Sequence, residues 1–128
     1  MSFDYTSSVI QTFEQHADSN LAKPMAKYMK NNVPGILVPD EVIDRMLEAG
    51  KEWAGKKASE LAPEEKKARS KAWQTEGIQV CIDLIKDIKE IEGVAGVHIM
   101  AIEWEEAVKP IVEGAGLYPR PEVKAVVA

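Results

Sequence analysis

The chain has 128 residues, 45% of them hydrophobic, and its 16 basic against 21 acidic residues give a net charge of −5. That length suits one domain with a sizeable core, and the acidic balance argues against general affinity for nucleic acid or an anionic membrane. A single cysteine, Cys81, excludes an internal disulfide and suits a reducing cytoplasm, and no apolar run approaches the roughly 20 residues of a membrane span. The N-terminus has Asp4 and no basic cluster ahead of an apolar core, so it is not read as a signal peptide, and a cytoplasmic protein is expected.

The first helical pattern runs from Phe3 to His16, where Tyr5, Val9, Ile10 and Phe13 fall at helical spacing. Ala17 to Asn20 is a break rich in capping residues. Leu21, Met25, Tyr28 and Met29 then mark a second helical face, with Pro24 in its first turn. The apolar run Val33 to Val38 is bracketed by Pro34 and Pro39, which limits it to a short extended segment near Ile36. Asp40 reads as an N-cap, followed by a helix whose inner stripe is Val42, Ile43, Met46 and Leu47.

Gly55 to Lys71 is charged and alanine-rich, and Pro63 with Glu64 and Glu65 behind it predicts the start of an exposed helix. Lys51, Lys56, Lys57, Lys66, Lys67, Arg69 and Lys71 are interleaved with Glu52, Glu60, Glu64 and Glu65, the pattern of a solvated helix face more than of a nucleic-acid groove. The strongest helical pattern spans Ala72 to Ile91. Ile78, Cys81, Ile82, Ile85 and Ile88 form its stripe, widened by Val80, Leu84 and Ile91; Gly77 within it costs about 1 kcal/mol against alanine unless something packs closely there.

Gly93 to Ile102 carries no charge and one polar side chain of any length, His98. Alternation sets Val97, Ile99 and Ala101 on one face and His98, Met100 and Ile102 on the other, which predicts a strand over Ala95 to Ile102, buried on both sides. A helix opening at Glu103 to Glu106 follows, carrying Trp104, Val108, Ile111 and Val112 inward until Gly114 and Gly116 end it. Pro110 should kink that helix or shorten the turn before it. The expected fold is therefore one mostly α domain with one or two short strands: an incomplete (βα) barrel, or a rearranged helical bundle ending in a βα unit. A lone strand must pair with the Val33 segment, with another copy or with a partner chain, or be buried among helices.

Conventional site chemistry is sparse. His98 on a buried strand reads as a core histidine, and His16 as a solvated helix-end residue. Cys81 reads as a small hydrophobe, while Glu103, Glu105 and Glu106 read as helix-start acids. The two histidines lack metal-ligand spacing, no phosphate-binding glycine loop occurs, and no nucleophile elbow is visible.

The stretch VHIMAIEWEEAVKPIVEGAGLYPRP (Val97 to Pro121) resembles the C-terminal end of the methylenetetrahydrofolate reductases. The likeness extends back through EGIQVCIDLIKDIKEIEGV (Glu76 to Val94) and VPGILVPDEVIDRM (Val33 to Met46), in the family's order. The resemblance implies a flavoenzyme barrel, of which residues 32–121 would supply the closing part and 122–128 a tail. It places Met100, Ile102 and Trp104 beside the flavin, FAD, at the C-terminal end of a barrel strand. The family's catalytic acid and most of its flavin contacts lie on earlier strands with no counterpart here. The resemblance thus implies a fragment or derivative inactive by itself, completed by a second chain or by a homo-oligomer. Two departures stand out: Glu103 where the family commonly has glycine, and Pro110 one position later than the family's proline.

The opening is different. FEQHADSNLAKPMAKYMKN (Phe13 to Asn31), within the segment 1–31, is similar to the start of DNA alkylation-repair glycosylases built from HEAT-like helical repeats. The match implies a DNA-binding helical module but carries none of that family's catalytic residues. Fusion, engineered chimera and chance are the origins consistent with two such resemblances. A non-catalytic folding or interaction module is the remaining class.

Overall fold

A computed structural model describes residues 30–35, 37–101, 104–120 and 122. Both predicted helices of residues 1–29, with His16, lie outside this set, as do Ile36, Ile102 and Glu103. The described chain is helical: α1 (Asp40–Ala49), two short 3-10 turns (Lys51–Trp53 and Ala58–Glu60), the long α2 (Pro63–Lys89), a third 3-10 turn (Glu105–Ala107) and α3 (Val108–Gly114). The mostly α expectation holds.

Helix α1 begins one residue earlier than its sequence suggests. Pro39 is the N-cap and its carbonyl accepts from the N–H groups of Val42 and Ile43, so Asp40 is the first helical residue and caps nothing through its side chain. Its carboxylate instead pairs with Lys30. Ile43 and Met46 are buried, whereas Leu47, assigned to the same stripe, is largely exposed.

The exposed helix after Pro63 and the strong helix ending near Ile91 are one continuous element of 27 residues, ~40 Å long. Glu65 fixes its start by accepting the Ala62 N–H at 3.0 Å. Ala62 has no side-chain acceptor to return the favour, so this is half a capping box. The same device recurs just upstream, where Glu60 accepts the Lys57 N–H at 3.0 Å. Glu65 lies in the first turn, and the Ala62 N–H, with the charge of Lys56, holds its carboxyl below the usual glutamate range.

Helix α2 packs on α1 with one part of its surface and on α3 with another. Val80, Cys81, Ile82, Ile85 and Ile88 are buried, as the periodicity predicts; Ile91 is exposed because the helix has ended before it. Gly50, directly after α1, is a place where nothing larger fits: a Cβ there would lie 2.5 Å from Nε1 of Trp73. The guanidinium of Arg69 stands over the ring of Trp73, 5.0 Å from its centroid. Arg69 is 3% exposed, so it belongs to the interior and not to the solvated basic face it was grouped with from sequence.

No strand occurs among the described residues, which corrects the expected strand over Ala95 to Ile102 for residues 95–101. Residues 37–39, beside the second candidate near Ile36, are irregular as well. The reason is elementary: a strand exists by its ladder, and no neighbouring described segment offers one. A barrel arrangement is accordingly absent from the described residues.

Candidate functional site

The site singled out by sequence lies where α2 gives way to α3. Gly93 adopts a left-handed backbone (φ 88°) and turns the chain back after α2. The following segment keeps the alternation its sequence predicts, though not the two-sided burial. Val97 and Ile99 are half-buried against a core of Cys81, Ile85, Ala107, Ile111 and Ala115. His98 and Met100 face solvent. His98 is therefore not a core histidine, because no second layer covers it among the described residues.

Trp104 is half-buried on the same core, as are Ile78 and Leu117. Of the three residues expected beside a flavin, the structure turns Trp104 inward and leaves Met100 39% exposed, while Ile102 lies outside the described residues. Met100 and Trp104 do not share one environment in this chain. Glu105 and Glu106 are exposed in the 3-10 turn preceding α3, consistent with their reading as helix-start acids. Cys81 is buried, as a small hydrophobe should be.

Pro110 accounts for the form of this corner. It has no N–H to reach Glu106, and its ring crowds that carbonyl. The chain from Glu105 to Ala107 tightens to 3-10 geometry and the α-helix begins at Val108, which leaves Pro110 in a first turn where no N–H is needed. At the other end Gly116 (φ 70°) closes α3. Its N–H donates to the Glu113 carbonyl at 3.1 Å and the N–H of Leu117 to the Val112 carbonyl at 2.8 Å, the paired bonds of a Schellman motif. Leu117 then folds back on the core, and Lys89 Nζ, from the end of α2, donates to the Ala115 carbonyl at 3.3 Å.

A polar cluster not foreseen from sequence lies between α1 and α2. Arg45 Nε donates to Glu76 Oε1 at 2.6 Å and its Nη1 to Asp83 Oδ2 at 2.9 Å. Gln79 Nε2 donates to the other Asp83 oxygen at 2.8 Å. Glu76 and Asp83 are seven residues apart on one helix, two turns along the same face, and that spacing was the available signal. Burial works against the charge on Asp83, but the hydrogen bonds from Gln79 and Arg45, with the charge of Arg45, outweigh it and hold the carboxyl below the usual aspartate range. For Arg45, burial opposes the charge and the two carboxylates overcome it, raising its pKa.

A carboxyl with a depressed folded-state pKa adds stability above its ordinary value, about 3.9, and loses it as pH falls through the folded-state value. Asp83→Asn should therefore destabilise at neutral pH, by no more than about 1 kcal/mol given the solvent around the pair. Parent and variant should converge in acid, once pH has fallen through the folded-state value of Asp83. Urea unfolding at a series of pH values checks this, and a difference that persists unchanged in acid contradicts it.

Among the described residues no group of three His, Cys, Asp or Glu side chains is gathered to hold a metal. No helix among them is long and apolar enough to cross a membrane. The chain matches no protein family, no curated protein and no solved structure.

Proposed function

We propose that this chain is a derivative of the closing segment of a methylenetetrahydrofolate-reductase-type barrel, without catalytic activity alone, whose role is to complete a larger assembly. The observation that carries the reading is the unit α2, residues 94–101, α3. An uncharged segment with alternating burial runs between two helices, in the order of an αβα stretch of a barrel wall. Such a segment becomes a strand when neighbouring strands supply its ladder.

FAD does not fit the chain as it stands. Met100 is turned to solvent and Trp104 to the helical core, so they offer a flavin no common face. In a completed barrel the segment would be rebuilt by its new neighbours, and any flavin contact by Met100, Ile102 and Trp104 belongs to that assembly. A second reading, a non-catalytic interaction module, is favoured by the way Val97, Ile99 and Trp104 already pack on the cluster of Cys81 and Ile111.

The two readings separate in a complementation experiment. A reductase barrel lacking its closing βα unit would be mixed with this chain and FAD, then passed through gel filtration. The chain alone should retain no flavin and reduce no folate with a reduced nicotinamide. The mixture should co-elute with flavin if the barrel-closing role is right. Failure of the two chains to associate rejects that role and leaves the interaction module.

A further inference from the structure

We draw no further inference here: the strongest candidate, the surface segment 95–101 between α2 and α3, whose backbone makes no hydrogen bond to other described backbone, carries nothing beyond the proposed function because nothing in the structure shows what covers it.

Discussion

Replacing Met46 with alanine should destabilise the protein by about 2–5 kcal/mol, the range for emptying a packed core position. Met46 is 1% exposed on α1, one of the two large side chains buried most completely among the described residues; the other is Val38, just before the same helix. Its unbranched thioether is enclosed on all sides, so truncation leaves a cavity unless the surroundings move in. Leu47 is the internal control. It is one residue further along, has the same hydrophobic character and is 43% exposed, so Leu47→Ala should stay within about 1 kcal/mol. Denaturant unfolding of both variants beside the parent checks the pair, and equal losses would place the α1 interface elsewhere.

Ile111→Ala should cost a similar amount, about 2–5 kcal/mol, but with a different signature. Ile111 is the buried residue of α3 and shares its cluster with Cys81 and Ile85 of α2. Helix α3 has seven residues, too few to persist without packing, so the side chain that docks it also sustains it. Loss of that contact should free α3 and the residues packed on its cluster, while α1 and α2 remain joined through the Arg45 fork. Hydrogen exchange should rise across α3 and at the Schellman amides of Gly116 and Leu117, and little across residues 78–85. Uniform acceleration over the whole chain would mean that α3 is part of a single cooperative unit.

Helical content was legible because helices satisfy their own backbone. The stripe on α2 could be read residue by residue, and Cys81, Ile82, Ile85 and Ile88 are buried where the period puts them. Pro63 announced a helix start, Gly116 a helix end, and Pro110 a tightened turn, since each acts through constraints on its own peptide units. Joining the exposed and apolar parts of α2 was harder to foresee. The change of composition at residue 72 looks like a boundary, but nothing between Lys71 and Trp73 breaks the hydrogen-bonded run.

The segment 95–101 shows where local reasoning stops. Its alternation is real, and Val97 and Ile99 do face the core. Two-sided burial and a ladder depend on partners elsewhere, and period-two sequence cannot create them. The same holds for Met100 and Trp104, whose proposed meeting at a flavin needs a sheet to align them. Arg69 is the opposite case: charge and position assign it to solvent, but the Trp73 ring provides an interior place for its guanidinium.

Which described stretches are helical, the proline start of α2, the glycine end of α3 and the inner stripe of α2 were all written locally in the chain, because they follow from hydrogen bonds and side-chain spacing within a few residues. Packing between distant elements is what makes Arg45 bridge Glu76 and Asp83, makes Gly50 leave room for Trp73, and leaves residues 95–101 without a ladder among the described residues. Those outcomes rest on which surfaces meet across tens of residues, and the free energy of such meetings belongs to the pair of surfaces and to neither alone.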